Sequence, residues 1–295
     1  MSRAASAAVL RLATRGSALA LAQTELVAAA LQQVMWAQPE PLVVRTLGDR
    51  RDDVPLERLE GQGWFTRELE RSLLSDNADV AVHSAKDLPT ATTPGLVIAA
   101  YLARGDARDG VVTRDGCRLN DLPDGAVVAT SSARRVAMLQ ALHPRLRTCA
   151  IRGNVDTRVR KLHEGACDAL LLACAGLERL GRRSEIAEAL DPNVFVPAPA
   201  QGVIAVQCRD DAPVRAHLEA LDDGVTRAAV TAERSVLAAL GGGCLLPLGA
   251  WARVHGDQMV LTAALAADGT LQRAETVGVV EDAEALGREV ARRLR

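Results

Sequence analysis

Aromatic residues are scarce in this chain of 295 residues, where Phe, Trp and Tyr together make up 2%. Proteins that bind single-stranded nucleic acid stack bases on aromatic side chains, so the composition argues against that class. Lysine is also rare, because only Lys86 and Lys161 occur among the 35 Lys and Arg residues. The 37 acidic residues balance these cations, which excludes binding of nucleic acid or an anionic membrane through net charge alone.

Long apolar runs and paired cysteines are also missing. No stretch of 18 apolar residues occurs, so no transmembrane helix is expected, and the first ten residues lack the apolar core of a secretory signal. The six cysteines form no C-x-x-C pair, and the five histidines have no zinc-binding spacing. We therefore expect a cytoplasmic protein that needs neither a disulfide framework nor a metal.

The residues that are present are typical of a globular protein, with 48% hydrophobic and 24% charged residues in a chain long enough for two or three domains. From Val9 to about Pro199, short aliphatic runs alternate with helical stretches, which indicates α/β units. The predicted strands cover 9–14, 42–47, 80–83, 96–100, 127–130, 148–151 and 169–173. The predicted helices begin after Ser17, which caps the first of them, and lie near 66–75, 133–142, 155–164 and 174–181.

Two breaks divide the chain. The charged, glycine-bearing run at 103–109 separates two α/β blocks, and two prolines at 196–202 stop any helix before a strand at 203–208. After Asp222 the pattern changes to a helix, a glycine run, strand-like stretches and a last helix. We therefore predict three domains, formed by residues 1–102 with 200–221, by 103–199, and by 222–295.

Polar clusters follow four of the predicted strands. They are the segments 14–17, 83–87, 130–135 and 152–158, in which hydroxyl or amide donors stand beside Arg or Lys. Ligands of open α/β sheets bind beyond the carboxyl ends of strands, where helix N-termini attract anions. A single cluster is more typical of a solvated helix cap. Four clusters on two α/β units predict a cleft for a ligand with several carboxylates or phosphates, since guanidinium groups bind both in bidentate fashion.

Lys86 and Asp87 are the candidate catalytic pair, because a carboxylate among cations can stabilise a developing positive charge or transfer a proton. The alternative is a plain surface ion pair. His83 could act as a general base, although a histidine at the end of a strand is more typical of a satisfied structural residue. Phe65, at the end of a stretch with two glycines, either faces a flat ligand or anchors a helix in the core.

Cys244 follows three consecutive glycines, Gly241, Gly242 and Gly243. An uncrowded turn of this kind leaves a thiol open to covalent attachment of a large group or to nucleophilic attack. The alternative is the usual one for cysteine, a buried and inert side chain. The other five cysteines lie in or beside apolar patterns, and we assign them to packing.

The same segments resemble the motifs of one family, hydroxymethylbilane synthase, also called porphobilinogen deaminase. Eight motifs occur in the family's order along almost the whole chain. They lie at 10–17, 82–89, 130–135, 152–158, 173–181, 197–202, 232–234 and 242–244. Eight collinear motifs make the resemblance specific.

This resemblance implies an α/β fold with two periplasmic-binding-protein-like domains flanking a cleft, plus a small C-terminal α+β domain that carries a cysteine loop. It also implies a reaction of haem and porphyrin biosynthesis, in which four porphobilinogen molecules lose ammonia and join head to tail into the linear tetrapyrrole hydroxymethylbilane. A dipyrromethane cofactor, attached through a thioether to Cys244, would prime the chain. We expect a monomer that binds neither nucleic acid nor membrane and passes its product to uroporphyrinogen-III synthase.

Residues at matching positions receive expected roles from the resemblance. Asp87 is the expected catalytic carboxylate, which would stabilise the cationic azafulvene left when ammonia departs. The expected cofactor contacts are Cys244, Lys86, Asp87, Ser84, Ser132, Arg134 and Arg135. The expected substrate contacts are Arg15, Ser17, Phe65, Arg152, Arg158, Arg179 and Gln201. No metal is expected among them.

Four positions depart from the family pattern without removing an expected catalytic group. Gln62 stands in place of a lysine, Ala85 in place of a methionine, Glu178 in place of a basic residue and Gly241 in place of an acidic one.

Two rival functions explain less of the sequence. A solute receptor or regulator explains the arginines, but it would need a signal peptide or a helix-turn-helix motif, and it leaves the glycine-cysteine turn unexplained. An enzyme with a phosphate substrate would need a P-loop or a G-x-G-x-x-G turn, and the sequence has neither.

Overall fold

The computed structural model describes residues 8–35, 37–50, 63, 65–243, 246–267 and 269–295. The helices are α1 (Ala18–Val34), α2 (Leu47–Arg50), α3 (Arg67–Leu74), α4 (Ala133–Leu142), α5 (Val155–His163), α6 (Cys174–Arg179), α7 (Arg215–Glu219), α8 (Gly224–Ala239) and α9 (Ala283–Arg293). The strands are β1 (Ala8–Thr14), β2 (Ala37–Val43), β3 (Val80–Ser84), β4 (Leu96–Tyr101), β5 (Asp109–Thr113), β6 (Val127–Ala129), β7 (Arg147–Cys149), β8 (Ala169–Ala173), β9 (Glu188–Ala189), β10 (Ile204–Arg209), β11 (Leu248–His255), β12 (Gln258–Ala267) and β13 (Thr270–Val279).

The first sheet has the strand order β2-β1-β3-β10-β4. β1 runs parallel to β2 and β3, whereas β10 runs antiparallel to β3 and β4. Leu12 of β1, Val80 of β3 and Val206 of β10 are buried in one core with Val27 and Leu31 of α1. The apolar face of α1 therefore covers one side of this sheet and fixes where its N-terminus lies.

The second sheet has the order β7-β6-β8-β5-β9 and repeats the pattern of the first. β6 runs parallel to β7 and β8, and β5 runs antiparallel to β8 and β9. Leu171 packs in a core with Met138 of α4, while Leu170 and Leu172 pack in another core with Leu162 of α5. β8 is apolar along its length because helices cover both faces of this sheet.

The third sheet is an antiparallel meander, β11-β12-β13. Leu261 and Met259 share a core with Val236 of α8 and Val290 of α9. Its Ala264 packs into the core of the second unit, which joins the two. The expected fold class of two α/β units and a smaller α+β unit is confirmed, while the exact boundaries at 102, 199 and 221 stay predictions.

The structure differs from the expected elements in three strands, of which β2 and β9 are edge strands and β5 is an inner strand. β2 covers Ala37–Val43, not 42–47, and contains Pro39 and Pro41. Proline cannot donate a backbone hydrogen bond and is tolerated on an edge strand, which is the position of β2. β5 and β9 were not predicted. The strand β5 begins at Asp109, at the end of the charged run that indicated a break.

Two searches of the described residues gave no candidates. No helix in the described ranges is long and apolar enough to cross a membrane. Within the same ranges, no group of three or more His, Cys, Asp or Glu side chains could hold a metal ion.

Candidate functional site

A cleft with a cavity volume of ≈ 750 Å³ lies between the first and second sheets, and residues of the third unit also line it. Loops that follow the parallel strands line it, as expected for ligand sites beyond the carboxyl ends of an open sheet. The predicted residues that line it are Arg15, Ser17, Phe65, Lys86, Asp87, Ser132, Arg134, Arg135, Arg152, Arg158 and Gln201. The structure therefore brings eleven predicted residues, scattered over 187 positions of sequence, to one cavity.

The first wall begins with the turn between β1 and α1. Ser17 caps α1 by accepting a hydrogen bond from the Ala20 backbone N–H at 3.2 Å. The guanidinium of Arg15 lies 4.2 Å from the centroid of the Phe65 ring. A Cβ on Gly48 would fall 2.1 Å from that ring, so the glycine allows Phe65 to reach Arg15. Phe65 is therefore a partner of a cleft cation and also part of the cleft lining.

Lys86 and Asp87 lie at the end of β3, in a single 3₁₀ turn over Ala85–Asp87. Ala85 is buried, and its N–H donates to the carbonyl of Val203 at 3.0 Å, which anchors the turn to the segment before β10. Lys86 Nζ donates to Gln201 Oε1 at 3.4 Å. Asp87 is the only acidic side chain among the described residues that line the cleft. A carboxylate in that position faces an otherwise cationic lining.

The environment of Lys86 lowers the pKa of its ammonium to about 8. Burial is the main cause, and the charge of Arg135 acts in the same direction, whereas Asp87 and Asp109 oppose it. Proton exchange on Lys86 is thus possible near neutral pH.

The second wall contains a buried ion cluster at the start of α4. Asp109 Oδ2 accepts from Arg134 Nη1 at 2.7 Å, and its Oδ1 accepts from Arg135 Nε at 2.8 Å and from Gln201 Nε2 at 3.1 Å. Burial alone would raise the pKa of Asp109, but the charges of Arg134 and Arg135 outweigh it and hold the pKa far below its ordinary value. Two guanidinium groups share one carboxylate, so the cluster keeps a net positive charge.

The turn before α5 adds two further cations. Asn154 caps α5 by accepting from the Thr157 N–H at 2.9 Å. Arg158 Nε donates to the carbonyl of Gly153 at 2.8 Å, which holds the side chain beside the cleft. Burial, followed by the charges of Arg135 and Arg152, lowers the pKa of Arg158 to about 10. Asp87 offsets part of this effect, and an anion bound in the cleft would relieve the crowding of cations further.

Two predicted ligands lie elsewhere. Ser84 exchanges hydrogen bonds with the side chain of Gln23 on α1, at 3.0 and 3.1 Å, and is absent from the described lining. Arg179 donates to the carbonyl of Gly202 at 2.6 Å and borders a separate, smaller cavity beside Ala22 and Glu25. The geometry gives neither side chain a place at the cleft in this conformation.

Cys244 lies outside the described residues, and so does Gln62. The nearest described neighbours of Cys244 on each side, Gly243 and Leu246, both line the cleft. The ends of the glycine-cysteine turn therefore reach the cavity that holds Lys86 and Asp87.

His83 is a structural residue, which is the interpretation that its position at the end of a strand favoured. It is 4% exposed, and its Nε2 lies 2.9 Å from Gln207 Oε1. Gln207 Nε2 in turn donates to Glu70 on α3 at 3.2 Å. Burial lowers the pKa of His83 to about 4, so the ring is neutral at pH 7.

The sequence reasoning missed several residues of the site. Asp109 was assigned to a break, although the apolar pair Val111-Val112 that follows it was a strand signal. Arg45 and Asn154 line the cleft without having been given a role. Arg234, within the 232–234 motif, also lines the cleft, and no local pattern distinguished it from Arg227, the other arginine on α8.

Two family models match this chain. "Porphobilinogen deaminase, dipyromethane cofactor binding domain" matches residues 10–216, and "Porphobilinogen deaminase, C-terminal domain" matches residues 227–295. The chain belongs to the porphobilinogen deaminase family. The two matches together span both α/β units, the third unit and all eleven predicted residues of the cleft.

Relatives named porphobilinogen deaminase match along nearly the full length. The protein of Acidothermus cellulolyticus is 49% identical over 298 aligned positions, which cover 99% of this chain and 90% of that protein. The protein of Xanthomonas euvesicatoria is 47% identical, with coverage of 97% and 95%. Among solved structures, the BvgS periplasmic VFT2 domain of Bordetella pertussis is similar at 18% identity and a TM-score of 0.43, over 72% of this chain and 85% of that one. We draw no conclusion from a likeness at that level.

Proposed function

We propose that this chain joins four porphobilinogen molecules head to tail into hydroxymethylbilane, with release of one ammonia for each unit and uptake of one water, which supplies the terminal hydroxyl group of the product. The observation that carries this proposal is the cleft, where one carboxylate, Asp87, faces cations from two walls and the ends of the glycine-cysteine turn. A ligand that gains carboxylates as it grows, and develops positive charge as it reacts, fits such a cavity. Membership of the porphobilinogen deaminase family supplies the substrate.

The cations of the cleft would hold the side chains of the substrate. Each porphobilinogen carries an acetate and a propionate, so a chain of pyrroles accumulates two carboxylates per unit. Arg15 on the first wall and Arg152 and Arg158 on the second offer guanidinium groups, which bind carboxylates in bidentate fashion. Ser17 and Gln201 line the same cavity as neutral donors.

The residues present fit a dipyrromethane group. Arg134 is 3% exposed, lines the cleft, and its Nε has no hydrogen-bond partner among the described residues. A buried guanidinium donor without a partner is costly unless an anionic group accepts from it. Lys86, Ser132 and Arg135 lie in the same lining and would hold further carboxylates of the group. The family model that covers residues 10–216 is that of a dipyrromethane cofactor binding domain.

We place the covalent attachment on Cys244, whose flanking residues Gly243 and Leu246 reach the cleft. When bound, the group would supply a pyrrole with a free α-carbon as the first acceptor of the chain.

Asp87 would act on the porphobilinogen unit that is joined. The C–N bond of its aminomethyl group breaks, a proton goes to the nitrogen, and ammonia leaves. The pyrrole then carries a positive charge, which the carboxylate of Asp87 would stabilise. A C–C bond forms to the α-carbon of the acceptor, and that carbon loses its proton. Lys86, whose pKa is lowered to about 8, lies next to Asp87 and would hold a carboxylate or exchange a proton there.

Intact mass under denaturing conditions tests this proposal. We expect the purified chain to be heavier than its sequence by one dipyrromethane, and brief incubation with porphobilinogen to add pyrrole-sized steps. Cys244→Ser should abolish the added mass. Cys117→Ser, a matched change at a partly exposed cysteine remote from the cleft, should retain it.

Three results contradict the proposal. A sequence mass that porphobilinogen never changes refutes the reaction, and it favours a binding protein that uses the same cleft. An added mass that survives Cys244→Ser refutes the attachment site. Retention on Cys244 with no release of ammonia refutes the reaction alone.

Monomeric action in the cytoplasm and transfer of the product to uroporphyrinogen-III synthase are further parts of this proposal. The cytoplasmic location rests on the lack of a secretory signal pattern in the sequence, and the other two parts rest on the family resemblance.

A further inference from the structure

Helix α8 presents two arginines to the first α/β unit. Arg227 and Arg234 are seven residues apart, which is close to two helical turns, so they lie on the same face. Each donates to backbone carbonyls of the first unit. Arg227 Nη2 reaches Ile98 and Ala99, and Arg234 reaches Leu88 and Pro89. The two arginines therefore hold different segments, and Arg227 also pairs with Asp222 through its Nε at 2.5 Å.

The carbonyls held by Arg234 belong to the residues that directly follow Asp87. Arg234 Nη1 donates to the Leu88 carbonyl at 3.2 Å, and Nη2 donates to the Pro89 carbonyl at 2.5 Å. Leu88 is buried in a core with Val230, one helical turn before Arg234. The turn with Asp87 is therefore fixed on one side by β3 and on the other by α8.

A second contact keeps α8 itself in place. Glu233 is fully buried and accepts hydrogen bonds from Arg104 Nη1 at 2.6 Å, from the Ala200 N–H at 2.7 Å and from the Ala252 N–H at 2.8 Å. These partners come from the connection after β4, the segment before β10, and β11. The helix α8 cannot shift without breaking these bonds. Arg234 therefore holds the carbonyls of Leu88 and Pro89 in a fixed position.

The same helix leads to the glycine-cysteine turn. α8 ends in bonds from the Gly241 N–H to the Ala238 carbonyl and from the Gly242 N–H to the Leu237 carbonyl, both at 3.0 Å, with Gly241 in the left-handed region at φ +67°. A Cβ on Gly242 would lie 2.5 Å from Leu246 Cδ2, so the chain on the far side of Cys244 packs closely on this end. The helix α8 thus carries both Arg234, which bonds to the residues after Asp87, and the start of the glycine-cysteine turn.

We infer that Arg234 is a positioning residue, through which α8 sets the place of the turn that carries Asp87 relative to the loop that carries Cys244. This inference rests on the proposed function. Arg234 acts through the carbonyls of Leu88 and Pro89, although it also lines the cleft. Small displacements of a reacting group reduce the rate of a reaction strongly, while the binding of substrate at other residues is retained.

The test compares R234Q with R227Q in the full-length chain. Both changes remove a guanidinium from the same face of α8 and from backbone carbonyls of the first unit, but Arg227 is absent from the described cleft lining. We expect kcat for porphobilinogen consumption to fall about tenfold or more in R234Q with KM within about twofold, and kcat to stay within about twofold in R227Q. R234K, which can still donate to one carbonyl, should recover part of kcat.

Intact mass and thermal unfolding of the same proteins complete the comparison. We expect R234Q and R227Q to carry the same covalent group, and R227Q to lose at least as much thermal stability as R234Q because Arg227 also pairs with Asp222. A lower kcat in R234Q alone then has a local cause. Equal kcat in the two variants overturns the inference. A raised KM with unchanged kcat in R234Q also overturns it, since Arg234 would then be a substrate ligand. Loss of the covalent group in R234Q alone overturns it as well, because the residue would then act in cofactor attachment.

If the proposed function itself is wrong, the result differs from all of these outcomes. The unchanged chain and R227Q then also consume no porphobilinogen.

Discussion

The two walls of the cleft are built on the same strand pattern but carry different chemistry. In each sheet three parallel strands are followed by two strands in antiparallel pairings, and loops at the strand ends face the cavity. The first wall holds Asp87 beside Lys86. The second wall holds Arg135, Arg152 and Arg158. The buried carboxylate of Asp109 accepts from Arg135 and is absent from the described lining.

The comparison shows that two α/β units with the same strand pattern can use a carboxylate in two different ways. A carboxylate that faces the cavity can act on a reacting group, whereas a carboxylate that is fully buried among arginines can only hold them. The first wall thus holds the carboxylate that faces the cavity, and both walls offer arginines to an anionic ligand, Arg15 on the first and Arg152 and Arg158 on the second. Three variants test this difference, and a fourth concerns the buried His83 of the first sheet.

Asp87→Asn should have the largest effect. We expect turnover of porphobilinogen to fall by about 100-fold or more, because the neutral amide stabilises a cationic pyrrole poorly, with the covalent group and the melting temperature retained. The measurements are ammonia release, intact mass and thermal unfolding. Asp156→Asn on α5 of the second wall, where the carboxylate pairs with Arg182 away from the cleft, is the matched control. Near-normal turnover in the Asp87 variant would remove the distinction between the walls.

Asp109→Asn should act mainly on stability. Removal of one partner from a buried ion cluster costs about 3–5 kcal/mol, and here it leaves Arg134 and Arg135 without their shared carboxylate. Urea unfolding measures the loss. Adding Arg134→Gln to the same chain should restore part of the free energy of unfolding, since one uncompensated cation is then removed. A loss below about 1 kcal/mol would show that Asp109 is not the anchor of the second wall.

Arg152→Gln should weaken binding. If this guanidinium holds a substrate carboxylate, its removal costs about 2 kcal/mol, or roughly 30-fold in KM, with a smaller change in kcat. Steady-state kinetics with porphobilinogen provide the values. Arg160→Gln on α5, where the exposed Arg160 pairs with Glu164 at 2.7 Å, controls for the loss of one positive charge. An unchanged KM would place Arg152 at the rim of the cleft.

His83→Gln should have the smallest effect, confined to the pH dependence of stability. The pKa of His83 is lowered to about 4, so between pH 6.5 and 4 the unfolded chain binds a proton that the folded chain does not. The free energy of unfolding of the unchanged protein therefore falls between pH 7 and pH 5, and this group contributes about 2 kcal/mol of the fall.

Urea unfolding at the two pH values checks this expectation. The contribution should vanish in His83→Gln and persist in His163→Gln, which changes an exposed histidine at the end of α5. An identical pH dependence in all three proteins would contradict it.

Much of the fold and of the cleft followed from local patterns. The first strand, the Ser17 cap, the strand that ends at Lys86-Asp87 and the two α/β units are confirmed, because each depends on residues that are close in the sequence. Pro39 and Pro41 obscured β2, since an edge strand tolerates residues that an inner strand excludes.

Long-range pairings could not be predicted in this way. Two contacts join segments that are far apart in the sequence, and no spacing rule connects them. They are the contact of Asp109 with Arg134 and Arg135 and the contact of Arg234 with Leu88. The same limit applied to Arg179 and Ser84. The family resemblance implied ligand contacts for both, but their side chains bond to Gly202 and Gln23.

The position of β10 affects how the chain is made. Ile204 and Ser84 pair across β10 and β3, yet they are 120 residues apart in the sequence. During synthesis all strands of the second sheet leave the ribosome before β10 does, so that unit can form while the first sheet still lacks an inner strand. Until about residue 209 has emerged, β3 has only β1 as a partner. The turn with Asp87 is therefore among the last parts of the two α/β units to gain its final support.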